Sequence, residues 1–375
     1  MSNLIITGGS RLCGIIEVPG AKNSVLPVLA ATLLNKGTSI LENCPELDDV
    51  TTMLEILEAL GCGIRRKGSR IEVDASQLTA SSIPEELAKK MRSSIIILGS
   101  LLARCGEAYL SYPGGCEIGM RPIDMHLKAL MQMGAKVDGI SDGMLRCRAE
   151  KLTGCEILLD YPSVGATENI MLAASMAEGE TIIQNAAKEP EIDDLQAFLR
   201  KMGVNVSGAG TGVIRIQGAR KIKAEPVHRI IPDRIVTGTY LAAAAATGGS
   251  IVVTNVIYDH VGSVLYCLKR CGCRIKNYSG NVIALESSGR LTALDLVRTS
   301  PYPGFPTDMQ PQLVALLSKC KGTSVVVETV FENRFRYTEQ LMKLGADITI
   351  QGRTAIIRGV DKLKGAQLEA RDLRG

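Results

Sequence analysis

The sequence predicts an α/β protein of two domains, each assembled from copies of one βαβαββ-type unit. The main observation is a repeat, in which an apolar helix ends at a glycine and is followed by a short strand. This pattern occurs five times at intervals of 69 to 73 residues. The glycines are Gly61, Gly134, Gly203, Gly272 and Gly345.

A second helix, rich in small residues, precedes each of these helices. It closes at a glycine turn into a strand of β-branched residues, as in Gly322 followed by residues 323–327. Alternating patterns such as Arg70–Val73 and Ala355–Arg358 predict hairpin strands. One unit therefore reads helix, strand, loop, helix, strand, hairpin, strand. At about 70 residues it is too long for the common solenoids, which favours globular domains. The other turn glycines are Gly37, Gly106, Gly179 and Gly248.

Composition narrows the class of protein. With 375 residues and 46% hydrophobic content, the chain can bury large cores in two or more domains. The N-terminus lacks the pattern of a secretory signal, and the apolar runs 95–103 and 241–246 are too short to cross a bilayer. Eleven cysteines without secretory context favour a reducing cytoplasm. A charge of +4 and 3% aromatic content argue against a nucleic-acid partner.

Cys267, Cys271 and Cys273 are spaced like metal ligands, but the repeat assigns them to a core. The equivalent positions in other units hold mainly apolar residues, such as Leu60 for Cys271 and Val204 for Cys273. The chain has no paired C-x-x-C motifs, and its three histidines are scattered. We therefore expect no metal site.

The segment from Pro113 to Asp124 sets Cys116 on a glycine-hinged loop, five residues before Arg121. Such a thiol is either one more buried cysteine or a reactive group whose pKa the guanidinium lowers. The repeat favours the second reading. The span between turn glycine and helix-ending glycine is 23 or 24 residues in four units but 28 in this one. An inserted loop on a repeated scaffold is typical of function.

Residues at the predicted starts of the small-residue helices share one register, fourteen positions before the turn glycine. Arginine at a helix start opposes the helix dipole, so Arg92 and Arg234 indicate either local salt bridges or a bound anion. Asp308 is explained equally well as a helix N-cap. The full set is Asn23, Arg92, Gly165, Arg234 and Asp308.

Five segments together resemble the UDP-N-acetylglucosamine enolpyruvyl transferases of the EPSP synthase superfamily, collinearly from end to end. The glycine-cysteine loop separates this family from the shikimate branch. The segments are 21–23, the Cys116 loop through Asp124, 163–167, 305–310 and 328–335. The resemblance implies two inside-out α/β domains of three units each, residues 22–229 with the Cys116 loop and residues 1–21 plus 230–375. Helix N-termini would point into the cleft between them.

The resemblance also implies roles for individual residues. Cys116 would act on phosphoenolpyruvate as general acid or covalent partner and would be alkylated by fosfomycin-type epoxides. Asp308 would take the proton from the sugar 3-hydroxyl. Lys22, Arg121 and Arg374 would hold phosphoenolpyruvate. The UDP-sugar site would consist of Asn23, Arg92, Arg121, Pro122, Ile123, Asp124, Met125, Tyr161, Pro162, Ser163, Val164 and Val330, with Arg334 in the region that orders on closure.

The implied reaction is addition followed by elimination. The sugar hydroxyl attacks C2 of phosphoenolpyruvate while C3 takes a proton, and the tetrahedral ketal then expels phosphate. Each half needs an acid and a base in a site of fixed positive charge. Neither a metal nor an organic cofactor is expected, and the product would enter peptidoglycan synthesis in the cytoplasm.

Three departures from the family pattern bear on activity. Val236 stands where relatives usually have glutamate, and Arg336-Tyr337 replaces the usual pair after Arg334. The chain also stops at Gly375, where the register predicts more of a sixth unit, which would pair with hairpin strands expected at residues 4–18. Two alternatives therefore stay open: a truncated, non-catalytic remnant that binds UDP-sugar, and 5-enolpyruvylshikimate-3-phosphate synthase activity.

Overall fold

The computed structural model of the chain describes residues 4–112, 123–139 and 143–370. These residues divide into two compact units. The first unit is the described part of residues 19–231, and the second consists of residues 4–18 and 232–370. The predicted domain boundaries lie a few residues from this division. The first strand of the chain, β1 (Cys13–Glu17), belongs to the second unit.

The first unit carries three sheets around its helices, with strand orders β12-β2-β4-β3, β5-β7-β6 and β10-β11-β9-β8. A 3-10 turn at Arg92–Ile96 leads into the fourth helix. The helices are α1 (Lys22–Thr32), α2 (Asp48–Ala59), α3 (Glu85–Lys90), α4 (Ile97–Cys105), α5 (Asp124–Gln132), α6 (Val164–Ala174) and α7 (Pro190–Lys201). The strands are β2 (Thr38–Glu42), β3 (Gly63–Lys67), β4 (Arg70–Asp74), β5 (Glu107–Ser111), β6 (Lys136–Asp138), β7 (Met144–Arg148), β8 (Glu156–Leu158), β9 (Glu180–Gln184), β10 (Asn205–Ser207), β11 (Val213–Gln217) and β12 (Val227–Arg229).

The second unit has two sheets, with strand orders β1-β13-β15-β14 and β16-β17-β19-β18. Two 3-10 turns, Tyr258–Val261 and Thr307–Met309, lead into its second and third helices. The helices are α8 (Arg234–Thr247), α9 (Gly262–Cys271), α10 (Gln310–Leu317) and α11 (Thr338–Lys343). The strands are β13 (Ser250–Thr254), β14 (Arg274–Tyr278), β15 (Val282–Glu286), β16 (Leu296–Arg298), β17 (Thr323–Val327), β18 (Asp347–Gln351) and β19 (Thr354–Arg358).

The predicted repeat is confirmed by the backbone at its marker glycines. All five glycines that end the second helix of a unit have φ between 88° and 107°, a left-handed conformation that residues with a Cβ rarely adopt. Each is followed by an antiparallel hairpin, as in β3 and β4 or β18 and β19. A glycine is therefore needed at this point of every unit to turn the chain from helix into sheet.

The inside-out arrangement is confirmed in the first unit, where helices form the core and sheets the outside. Helix α1 is buried from Ser24 to its end, and α6 is buried from Ala166 to its end. Strands such as β11 alternate between exposed and buried residues, which is the pattern of a sheet with one face in water. A helix buried on all sides is mostly apolar all round, which explains the small-residue composition seen in the sequence.

The prediction of hairpin strands at residues 4–18 is wrong. Residues 4–12 contain no strand, and β1 pairs in parallel with β13 instead. The backbone N–H of Ser250 donates to the carbonyl of Leu12, so the start of β13 already holds the chain just before β1. This pairing follows three of the other sheets, in which a parallel strand flanks the strand after the buried helix, as β12 flanks β2, β8 flanks β9 and β16 flanks β17.

The core assignment of the three clustered cysteines is confirmed. Cys267, Cys271 and Cys273 are 7%, 0% and 6% exposed and pack in the hydrophobic core of the second unit.

Among the described residues, no helix combines the length and the apolar character needed to cross a membrane.

A buried polar network fixes how α4, α5 and α6 pack. Asn169 on α6 accepts a hydrogen bond from the backbone N–H of Gly99 at 2.6 Å, and its side-chain NH₂ donates to the carbonyl of Ile95 at 3.2 Å. The same NH₂ lies 3.0 Å from Nδ1 of His126. A Cβ at position 99 would stand 2.3 Å from the Asn169 carbonyl oxygen, so only glycine permits this approach.

Replacement of this glycine tests the helix contact. We expect Gly99→Ala to lower the free energy of unfolding by about 1–3 kcal/mol, because the overpacking outweighs the gain in helix propensity. Urea titration measures the change. Gly262→Ala is the matched control, since its Cβ would meet nothing within 4 Å. Equal stability of the two variants would contradict the close contact.

The buried His126 predicts an acid sensitivity. Burial lowers its pKa to about 4, and the charge of Arg92 adds to this while Asp124 opposes it. The unfolded chain, with a histidine pKa of about 6.5, therefore binds the proton first, and stability falls as the pH drops from about 6.5 through 4. Relative to His126→Asn, we expect the wild-type protein to lose up to about 3 kcal/mol between pH 7 and pH 4. Urea titrations across this range measure the difference, and a pH-independent difference contradicts the prediction.

Candidate active site

The five residues of the helix-start register all lie in the first turn of a helical segment. Asn23 and Gly165 are the second residues of α1 and α6, and Arg234 is the first residue of α8. Arg92 opens the 3-10 turn before α4, and Asp308 lies in the 3-10 turn before α10. The predicted register is therefore confirmed. Backbone N–H groups at such positions favour negatively charged ligands.

Lys22, the first residue of α1, is tied to the start of the next helix. Its Nζ lies 2.8 Å from Oδ2 of Asp49 in the first turn of α2, and its side chain is 17% exposed. The ion pair directs the ammonium group, and part of the side chain stays accessible. A lysine at a helix start contributes positive charge that favours an anion.

The structure brings together three of the segments assigned to the UDP-sugar site. The turn that Arg92 opens contacts both α1 and α6. Lys128 lies 3.5 Å from Asp124 at the start of α5 and 3.9 Å from Asp160, which directly precedes the 161–164 segment.

His126 connects the same segments from inside the core. Its ring lies against Gly165 near the start of α6, where a Cβ would be 3.2 Å from Cε1. Arg92 contributes to the lowered pKa of His126, and the 3-10 turn that it opens contacts α6. Ile123–Met125, Tyr161–Val164 and Arg92 therefore lie in one region of the first unit.

The start of α6 is set by Ser163. Its Oγ caps the helix by accepting a hydrogen bond from the backbone N–H of Ala166 at 3.3 Å, and its own N–H donates to the carbonyl of Tyr161 at 2.6 Å. The cap fixes the approach of residues 161–164 to the helix.

In the second unit, Asp308 forms an ion pair with Arg334. Nη2 of Arg334 lies 3.0 Å from Oδ1 of Asp308, and the arginine side chain is fully buried while the aspartate side chain is 25% exposed. The guanidinium also lies 6.0 Å from the centre of the Phe331 ring. A buried arginine has few orientations available, so it holds the carboxylate in one direction and leaves part of it accessible.

The arginine of the fourth register position, Arg234, has a local partner. Its guanidinium lies 5.8 Å from the centre of the Tyr302 ring, which is within the range of a cation–π interaction. Its helix is capped by Asp233, which accepts hydrogen bonds from the backbone N–H groups of Ile235 and Val236 at 2.8 and 3.0 Å. This ring contact is neither a salt bridge nor a bound anion, so the two explanations given for the arginine stay predictions.

Four predicted site residues, Cys116, Arg121, Pro122 and Arg374, lie outside the described residues. Their assigned roles stay predictions.

Sequence reasoning missed buried charged residues beside the predicted site. Glu328 is 1% exposed, and a signal for it was present. Strand β17 buries every second residue, Ser324 and Val326, so the alternation places Glu328 at the next buried position. Glu168 had no such signal. Its pKa is raised well above the usual value, first by complete burial and then by the charges of Glu191 and Glu189.

Comparisons with known proteins identify the family. The sequence profile of EPSP synthase (3-phosphoshikimate 1-carboxyvinyltransferase) matches residues 6–375. UDP-N-acetylglucosamine 1-carboxyvinyltransferase 2 of Caldanaerobacter subterraneus subsp. tengcongensis is 52% identical over 375 residues, which are 100% of this chain and 89% of that protein. UDP-N-acetylglucosamine 1-carboxyvinyltransferase 1 of Carboxydothermus hydrogenoformans is 49% identical over 374 residues, covering 100% of this chain and 88% of the relative.

Solved structures give the same result for the fold. The enolpyruvyl transferase NikO of Streptomyces tendae is similar with a TM-score of 0.84 and 25% identity, over 94% of this chain and 83% of that one. EPSP synthase from Acinetobacter baumannii is similar in fold alone, with a TM-score of 0.68 and 20% identity over 96% of this chain and 84% of that chain. The chain belongs to the EPSP synthase family and, within it, to the UDP-N-acetylglucosamine 1-carboxyvinyltransferases.

Proposed function

We propose that the protein transfers the enolpyruvyl group of phosphoenolpyruvate to the 3-hydroxyl of UDP-N-acetylglucosamine and releases phosphate. The observation that carries the proposal is the 52% identity to a relative of this name over the whole chain. The reaction would take place in the cytoplasm and supply peptidoglycan synthesis.

Asp308 is the proposed base. Its carboxylate is held by the buried Arg334 and remains partly exposed, so it can accept the proton of the sugar hydroxyl as that oxygen attacks C2. The C3 carbon takes a proton in the same half of the reaction, and we assign this proton to the Cys116 thiol. The thiol either donates it as the sugar oxygen bonds to C2, or adds across the double bond so that sulfur bonds to C2 until the sugar oxygen displaces it as thiolate. The second half breaks the bond between C2 and the phosphate oxygen, and C3 returns a proton to the Cys116 thiolate.

The phosphate and carboxylate of phosphoenolpyruvate require fixed positive charge. We assign this role to Lys22, Arg121 and Arg374. Lys22 is supported by its position at the start of α1, where the helix dipole adds to the ammonium charge.

The UDP-sugar is assigned to Arg121, Pro122 and Val330 and to the region of the first unit that contains Arg92, Asn23, residues 123–125 and residues 161–164. The support is the clustering of the described segments in the first unit, which Lys128 and His126 connect. Arg334 is assigned both to this substrate and to the orientation of Asp308.

The reaction itself is the first test. Purified protein should release phosphate when phosphoenolpyruvate and UDP-N-acetylglucosamine are both present, and not when shikimate 3-phosphate replaces the sugar. We expect Cys116→Asp to retain activity within about tenfold, because a carboxyl group can donate a proton, while Cys116→Ser loses about 100-fold or more. Fosfomycin should add covalently to the wild-type protein and not to Cys116→Asp, as read by intact mass.

Two outcomes of this assay favour the alternatives. Binding of UDP-N-acetylglucosamine without any turnover would identify a non-catalytic protein. Turnover with shikimate 3-phosphate that ignores both Cys116 variants would identify the shikimate activity.

The assignment of Asp308 as the base predicts that its replacement lowers kcat. Asp308→Asn keeps an oxygen for the Arg334 hydrogen bond but cannot accept a proton, so kcat should fall by about 10²–10⁴-fold with the fold intact. Steady-state kinetics and a melting curve measure both properties. Asp347→Asn is the matched control, because this aspartate pairs with Arg358 on the surface of the same unit. A kcat equal to that of the control would exclude Asp308 as the base.

A further inference from the structure

The carboxylate of Glu328 joins three separate segments of the second unit. Its Oε1 accepts hydrogen bonds from Thr299 Oγ1 at 2.8 Å and from the backbone N–H groups of Val330 and Phe331 at 2.8 and 3.1 Å. Its Oε2 accepts one from Thr307 Oγ1 at 2.9 Å. The side chain is 1% exposed, so these four donors replace the water that a carboxylate would otherwise bind.

The hydrogen-bond donors to Glu328 belong to the segments that carry proposed site residues, or lie beside them. Thr307 directly precedes Asp308 in the 3-10 turn, so the Oε2 bond fixes the turn that carries the proposed base. Two of the three donors to Oε1 are the backbone N–H groups of the turn at residues 330–331, which includes the proposed UDP-sugar contact Val330. Thr299, at the end of β16, supports this second group and also accepts a hydrogen bond from the backbone N–H of Thr329 at 2.9 Å.

We infer that Glu328 is a positioning residue for the transfer reaction, which orients Asp308 through Thr307 and holds the turn at residues 330–331. This inference rests on the proposed function of Asp308. Glu328 touches neither the reacting atoms nor a substrate in this role. It acts by restricting where the base and the turn can be, and placement errors of about 1 Å are enough to slow a reaction about 100-fold.

The asymmetry of the four bonds allows one of them to be weakened alone. In Glu328→Gln the carbonyl oxygen is favoured at the Oε1 position, because three donors meet there. The amide NH₂ then replaces Oε2, so the charge-assisted hydrogen bond from Thr307 is lost and the hydroxyl can only accept a weaker one from the amide. Thr307→Val removes the same bond from the other side with little change in volume, and Thr307→Ser retains it.

We expect Glu328→Gln and Thr307→Val each to lower kcat by about 10–100-fold, with KM for either substrate changed by less than about threefold. Thr307→Ser should recover most of the wild-type kcat. Glu286→Gln is the control, because this glutamate pairs with Arg274 on the surface of the same unit and is 53% exposed.

A double-mutant cycle separates positioning from a merely structural role. If Glu328 acts through Asp308, then Glu328→Gln added to Asp308→Asn should lower the residual kcat by less than about twofold. A further loss of the full 10–100-fold would overturn the inference, as would a kcat for Glu328→Gln equal to that of the Glu286→Gln control.

A crystal structure of Glu328→Gln gives a readout that needs no turnover. The distance between Arg334 Nη2 and Asp308 Oδ1, 3.0 Å in the wild-type protein, should lengthen beyond hydrogen-bonding range while the sheets stay unchanged. An unchanged distance overturns the inference. If the wild-type protein formed no product, the proposed function would fail, and this distance would still decide whether Glu328 orients Asp308.

Discussion

The burial of whole helices inside a shell of sheets is the constraint from which the rest of the first unit follows. Helices α1 and α6 are enclosed from their third residue onward, so their side chains are mainly small or apolar, buried polar ones such as Asn169 need hydrogen-bond partners, and glycine is required where α4 meets α6. The half-buried residues of these two helices are Lys22, Asn23, Val164 and Gly165, all in the first turn. The accessible polar side chains of the two helices therefore lie at the helix starts, where N–H groups without an intrahelical partner also lie.

This constraint explains why much of the fold could be predicted from the sequence. A glycine with positive φ and a strand of alternating residues leave local signals that do not depend on distant partners, and both recurred in every copy. The hairpin expected at residues 4–18 failed for the opposite reason. An apolar segment such as Ile15-Ile16 shows that a strand is present, but its partner, β13, lies more than 200 residues away and has no local signature.

The site shows the same contrast between features with a local sequence signal and features that depend on distant partners. The register of helix starts was visible in the sequence, because position alone defines it. The network around Glu328 was not, because its side-chain donors stand 21 and 29 residues away and become neighbours only after β16 and β17 pair. His126 and Asn169 are likewise 43 residues apart. Hydrogen-bond partners of buried polar groups are a property of the tertiary structure, and a single sequence shows only that such a group exists.

The two departures from the family pattern at positions 236 and 336–337 can be related to hydrogen bonds in the structure. The cap of α8 is made by the backbone N–H groups of Ile235 and Val236, so the side chain at position 236 does not contribute to it. At the second departure, Tyr337 is buried, and its hydroxyl donates to Oε1 of Gln310 at 2.7 Å. Gln310 directly follows the turn that carries Asp308, so this pair adds a contact beside the proposed base. The ion pair of Asp308 with Arg334 and the hydrogen bonds of Glu328 are thus formed in a chain that carries both departures.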